Sequence, residues 1–279
     1  MDVTTSTDAV AFAALAAPVI EAEPILHSVL ASVLADAAAG HYPGYAFYAV
    51  QRPGRPPALA HHTPPFPFHV PAPDAEAAAA LARHVWAEGR RPDAVGGHLA
   101  SVESFAAEWT RLSGLRAEVR MRLGLYDLPV PVRLPWPVSG RPRAASDADL
   151  ALVDDWNTAF HREALGQEPP PSDRARTGIA GQRVLLWCDP DPVAMARARP
   201  AVGGVARVGG VYTPPEHRGR GYGSAVTAAV SAEVQDAGQR CMLYTDLANP
   251  TSNGIYRAMG YRHLMDTAEV AFASGSVLR

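Results

Sequence analysis

The chain has 279 residues, 48% of them apolar, enough for two modest domains each with its own core. Its formal net charge is −3, with 28 Asp+Glu against 25 Lys+Arg, and every basic residue in that count is arginine. A balance this close to neutral excludes a general nucleic-acid or polyanion binder, and no apolar run is long enough to span a bilayer.

Met1 to Asp8 is polar and has no basic region, so no secretory leader is expected and the chain reads as cytoplasmic. Pro24 to Ala38 reads as a helix ending near Gly40. Tyr45 to Val50 and Ala58 to His62 read as strands. Asp74 suits the cap of a helix running through Leu81, Val85 and Trp86 to Gly89. Ser101 suits the cap of another, with Val102, Phe105, Ala106, Trp109 and Leu112 on one face. From Leu115 to Leu125 apolar residues alternate with Arg116, Glu118, Arg120 and Arg122, the clearest strand pattern in the chain. His61 and His62 point to opposite faces of a strand, so with His69 they read as surface or structural residues, and no metal is expected.

Residues 128–141 carry Pro129, Pro131, Pro135 and Pro137, a density that favours extended geometry. This segment reads as a linker between an amino-terminal domain, 1–127, and a second domain, 142–279. Ser146 to Asp149 has the capping-box pattern and opens a helix carrying Leu150, Val153, Trp156 and Phe160. A shorter helix is expected over Ser172 to Gly181. Strands follow at Arg183 to Cys188, Val193 to Ala198 and Val205 to Thr213, with Asp189-Pro190-Asp191 as the first turn. A helix begins near Gly221 and ends at Gly238. Then come a strand from Arg240 to Asp246, a short helix bearing Tyr256, and closing strands at Tyr261 to Leu264 and Thr267 to Ala273. Cys188 and Cys241 sit in separate strand-like runs and read as buried thiols. The Arg, Ala and Pro bias fits a high-GC bacterial genome. The mixture of elements makes the chain α/β (α+β).

The run Val211-Tyr212-Thr213-Pro214-Pro215-Glu216-His217-Arg218-Gly219-Arg220-Gly221-Tyr222-Gly223-Ser224 carries the chemistry. A strand enters an Arg- and Gly-dense loop, and a helix starts there. Unpaired N–H groups at a helix start, with the dipole behind them, attract a phosphate. Glycines let the backbone come close, and Arg218 and Arg220 offer planar forks to phosphate oxygens. A Walker loop is excluded for want of lysine, and Gly219, Gly221 and Gly223 lack the Rossmann spacing.

Arg218, Gly221 and Gly223 fit R-x-x-G-x-G, and Asn249 followed by Tyr256 and then Gly260-Tyr261 fits a second signature downstream. Together, over 142–279, they resemble the GNAT (GCN5-related) N-acetyltransferase superfamily. The amino-terminal half is similar, more weakly, to the degenerate first unit of two-domain bacterial GNAT proteins. The resemblance implies a mixed, mostly antiparallel, splayed sheet flanked by helices, with acetyl-CoA as cofactor and no metal. It implies that Val211, Tyr212 and Thr213 meet the pantetheine arm. The pyrophosphate would lie over His217, Arg218, Gly219, Arg220, Gly221, Tyr222, Gly223 and Ser224, with Asn249 and Ser252 also contacting the cofactor. Tyr256 takes the position of the general acid near the sulfur, since a phenol with pKa of about 10 is protonated at neutral pH. The strand from Val205 to Val211 has no carboxylate. Asp246, directly or through water, is the candidate base, with His161 and Glu163 as alternatives facing the acceptor. The implied activity is acetyl transfer from the thioester to a primary amine, on a small molecule or a peptide. A non-catalytic acyl-CoA-binding regulator, and a transferase of longer acyl chains with room made by Gly209 and Gly210, stay open. No nucleic-acid or membrane partner is expected, and the chain is expected as a monomer, a pseudo-dimer of two GNAT-like units, or as a homodimer.

Overall fold

The computed structural model describes residues 1–42, 44–165, 179 and 183–273. They form two compact units. Of the described residues, one holds Met1–Leu125, Asp246–Ala248 and Met265–Ala273; the other holds Tyr126–Thr245 and Asn249–Leu264. The partition is therefore not sequential, as the boundary expected at 128–141 would make it.

The first unit runs β1 (Asp2–Ser6), α1 (Ala9–Ala22), α2 (Ser28–Ala38), β2 (Ala46–Arg52), β3 (Arg55–His62), β4 (Phe68–Val70), α3 (Ala75–Ala87), β5 (Ala94–His98), α4 (Leu99–Ser113) and most of β6 (Arg116–Leu128). Neighbours β1/β2, β2/β3 and β3/β4 are antiparallel, and β4/β5 are parallel. Both sheet faces are covered. Tyr48 and Val50 pack with Phe105 and Trp109, while Phe47 and Ala49 pack with Phe12 and Leu34.

The second unit repeats that order. It runs β7 (Arg141–Ala144), α5 (Leu150–Leu165), β8 (Val184–Cys188), β9 (Pro192–Ala198), β10 (Val205–Tyr212), α6 (Tyr222–Asp236), β11 (Arg240–Asp246), α7 (Pro250–Met259) and the start of β12 (Arg262–Ala273). Again three antiparallel pairs, β7/β8, β8/β9 and β9/β10, precede one parallel pair, β10/β11. The helix expected over Ser172 to Gly181 lies outside the described residues, Ile179 excepted.

Several elements differ from the sequence reading. Strand β1 and helix α1 were not anticipated, because Ala9–Ala22 is alanine-rich and lacks a clean period; its signal was Asp8, whose carboxylate accepts from Val10 N at 3.0 Å and Ala11 N at 2.9 Å. Short β4 and glycine-containing β5 were also missed. Ser101 is not a cap. It lies one turn into α4, fully buried, and its hydroxyl donates to Ala72 O at 2.6 Å. The two closing strands are one, β12, whose residues Thr267 to Ala271 pair with β5. Asp74 does cap α3, accepting from Ala77 N at 3.0 Å, and Ser146 and Asp149 form the expected capping box.

The proline-rich segment is a packed strap on the second unit. Two of its N–H groups anchor it: Val132 N donates to Gln235 Oε1 at 2.9 Å and Arg133 N to Met259 O at 3.0 Å. Gln235, in the last turn of α6, donates back to Val130 O at 2.8 Å. Val130, Val132 and Val138 pack on the core that includes α6. The strap thus reaches from the end of α6 at Gln235 to its start at Gly221, which Trp136 and Val138 contact.

Candidate functional site

The site grows from the parting of two strands. β10 and β11 pair only through Val205↔Arg240, Ala206↔Cys241 and Arg207↔Met242, although β10 continues to Tyr212 and β11 to Asp246. Beyond Arg207 the edge of β10 that faced β11 is unpaired, leaving backbone donors and acceptors for an extended ligand.

Beyond the splay, β10 bulges between Gly209 and Tyr212. Gly210 takes φ +59°, a conformation that favours glycine, and an added Cβ would stand 2.7 Å from Arg197 Nε and make that side chain shift. Gly209 by contrast faces open space. The extra residue reverses the alternation of the strand. Val208 and Val211 both pack toward the core containing α6, whereas Tyr212 packs with Trp156 and Met195 against α5. An unbulged strand would have put Val208 and Tyr212 on one face.

Tyr212 thereby reaches Glu163 in the last turn of α5, donating from Oη to Oε1 at 3.2 Å. Burial, then the Glu163 carboxylate, raises the Tyr212 pKa. Arg218 closes the cluster. It donates from NH2 to Glu163 at 2.6 Å and from Nε to the Thr213 carbonyl at 2.8 Å. Two sequence assignments are altered here. Arg218 is not a fork left open to phosphate, and the Thr213 carbonyl already accepts a hydrogen bond. His161, the other helix candidate, is buried with Nδ1 2.7 Å from Asn157 O.

The loop from Pro214 to Gly221 turns through a short 3-10 segment, Pro215–His217, and then Gly219 at φ +76°. Helix α6 begins at Tyr222; its N-cap residue, Gly221, has φ +84° and offers no side-chain cap. Gly219 opens on empty space. An added Cβ at Gly221 would stand 2.6 Å from Trp136 Nε1 and 3.0 Å from Val138, so the strap comes close here. Tyr222 is buried, and its hydroxyl donates to Asp189 at 2.5 Å; only its backbone is available to a ligand. Ser224 is buried rather than on the helix surface, and Arg220 is exposed beside Asp189, whose carboxyl it helps to hold low after Ser139 and Tyr222. His217 is half-buried, its Nδ1 without a partner among the described residues.

Downstream, Asn249 caps α7, accepting from Ser252 N at 3.0 Å, while Asn253 Nδ2 donates to its carbonyl at 2.8 Å. Tyr256 is half-buried, edge-on to Tyr261 with centroids 5.9 Å apart, and burial pushes its phenol up to about 12. Asp246 is exposed and groups with the first unit; its Oδ1 accepts from Ala248 N at 2.8 Å and so closes a turn. Among the described residues no three His, Cys, Asp or Glu side chains gather as metal ligands. No helix in them is long and apolar enough to cross a membrane.

A parallel pair that splays behind a bulge, opening on a glycine loop that starts a helix, defines the GNAT fold. Known proteins agree. The FR47-like protein family model matches residues 188–270, which covers the bulged strand, the loop and Tyr256. A GNAT-family acetyltransferase of Colwellia psychrerythraea superposes over 99% of this chain and 100% of its own, with TM-score 0.56 at 10% identity. A GCN5-related N-acetyltransferase of Sphaerobacter thermophilus covers 80% and 79%, with TM-score 0.55 at 17% identity. In sequence, a mycothiol acetyltransferase of Arthrobacter sp. is 28% identical over 160 residues, 51% of this chain and 48% of the relative. The chain thus matches about half the length of the curated relatives found. It has the GNAT fold and is similar in sequence to GNAT-type acetyltransferases.

Proposed function

We propose that the protein is an acetyl-CoA-dependent N-acetyltransferase acting on a primary amine by direct attack in a ternary complex. The splay of β10 from β11, leading into the glycine loop and α6, carries this reading. The residues present suit the donor. Val208 to Tyr212 expose an unpaired strand edge, Gly219 opens on free space, and the first N–H groups of α6 have no side-chain cap. The similarity to proteins named acetyltransferases supports the same reading.

Acetyl-CoA supplies an activated acyl group as a thioester. The chain's own groups do the rest. The backbone N–H near Val211, at the bulge, is assigned to the carbonyl oxygen, where negative charge develops. Tyr256 is assigned to the leaving sulfur. With its pKa pushed up to about 12, its phenol keeps its proton at neutral pH and can donate it. Asp246 is the side-chain candidate for taking up the amine proton; Asp246→Asn leaving both kcat and the pH profile unchanged would remove it.

The test of the reading is calorimetric titration with acetyl-CoA, free CoA and a long-chain acyl-CoA. Acetyl-CoA binding followed by acetylation of an amine panel supports it. Preference for the long chain would move the assignment to a longer-chain acyltransferase, for which the open face of Gly209 leaves room. Donor binding without transfer to any amine would favour a regulator, and no binding would defeat the proposal.

A further inference from the structure

We infer that Trp136, carried by the proline-rich strap, is a ligand-contacting residue of the donor site: its indole N–H donates to a phosphate oxygen held at the start of α6. The inference rests on the donor reading above and adds to it a residue outside both signature motifs. Trp136 lies against Gly221, close enough that a Cβ on that glycine would stand 2.6 Å from Nε1. Gly221 is the N-cap residue just before α6, and it provides no side-chain cap. Trp136 is 38% exposed, an unusual display of indole surface for a chain whose Trp109 is completely buried. Its N–H has no partner among the described residues. The neighbouring indole of Trp187, by contrast, donates to Ser139 O at 2.7 Å.

The strap is fixed at this point. Ser139 Oγ donates to Asp189 Oδ2 at 2.5 Å, and the same oxygen accepts from Tyr222 Oη at 2.5 Å. One carboxylate therefore ties the strap to the first residue of the helix. Such a tether holds Trp136 in place before a ligand arrives, which limits the ordering cost of using it. An indole nitrogen is a donor only, so the group it can recognise is an acceptor. Beside uncapped helix N–H groups and the exposed Arg220, that acceptor is an anionic oxygen.

The experiment uses the full chain with its five tryptophans labelled with 15N at the indole, titrated with CoA. Trp136→Phe assigns one peak. That peak is expected to shift on CoA addition, and Trp136→Phe, with its melting temperature unchanged, is expected to bind CoA about 3- to 10-fold more weakly. A Trp136 peak that stays put while CoA binds, or a Phe variant that binds like the wild type, would overturn the inference. Absence of CoA binding in the wild type itself would instead sink the donor reading, and the inference with it.

Discussion

The guanidinium of Arg218 is held by Glu163 at 2.6 Å, so the arginine of the R-x-x-G-x-G motif is engaged by the helix α5 carboxylate. Its Nε is held as well, by the Thr213 carbonyl. A phosphate that recruits Arg218 has to compete with Glu163. Both side chains are nearly half exposed, and such pairs contribute less than about 1 kcal/mol. Glu163→Gln is therefore expected to tighten CoA binding by up to about 5-fold, and Arg218→Ala to weaken it. In the Arg218→Ala background, Glu163→Gln should have no effect on CoA affinity. Calorimetry on the four proteins reads this directly, and an unchanged affinity in Glu163→Gln alone would show that the two do not compete.

Tyr256→Phe is expected to lower turnover about 10- to 1000-fold while CoA affinity stays within about 2-fold, the pattern of a positioned acid. Because the phenol sits at about 12, the rate should not lose its acid between pH 7 and 10. Steady-state kinetics of the two proteins across that range are the measurement. Equal turnover would leave Tyr256 a packing residue against Tyr261.

The strand, glycine loop and helix start around Arg218, Gly221 and Gly223 were legible in the sequence because their signals are local. Tyr256 on a short helix was legible for the same reason, whereas Asn249, read from the sequence as a cofactor contact, caps that helix. Glu163 could be listed but not placed, since its partners Tyr212 and Arg218 are 49 and 55 residues away. Nothing local told that Gly209-Gly210 would bulge and turn Tyr212 toward α5. The strap was misread as a linker because proline density reports extended backbone, and says nothing of what Val130, Val132 and Val138 pack on. Helix α1 was missed because both alanine-rich faces look alike to a periodicity argument.

The first unit repeats the strand order of the second but not its opening. β4 pairs with β5 along its whole length, Phe68↔Val95 to Val70↔Gly97. Gly97 approaches so closely that an added Cβ would overlap the Val70 carbonyl. At the start of α3, the counterpart of α6, the Asp74 carboxylate already accepts from Ala77 N and pairs with Arg52. An internal anion thus fills the place that the proposed donor phosphate would take in the second unit. One CoA per chain is the expected stoichiometry. Two equivalent sites by calorimetry would contradict this closure.

Acid should destabilise the protein through His27. Its side chain is 1% exposed, Nδ1 has no partner among the described residues, and burial lowers its pKa from 6.5 to about 4. The folded state therefore prefers the neutral ring, while the unfolded chain takes up a proton below pH 6.5. The contribution is full above 6.5 and is lost as pH falls toward 4. A gap of that size is worth at most about 3 kcal/mol. Burial shifts His61, His62 and His98 in the same direction, so they steepen the decline. Urea unfolding at pH 7.5, 6, 5 and 4.5 should show wild-type stability falling faster than that of His27→Leu, which has no ring to protonate. Parallel curves for the two proteins would mean that His27 stays neutral in neither state more than the other, and the buried-ring account would be wrong.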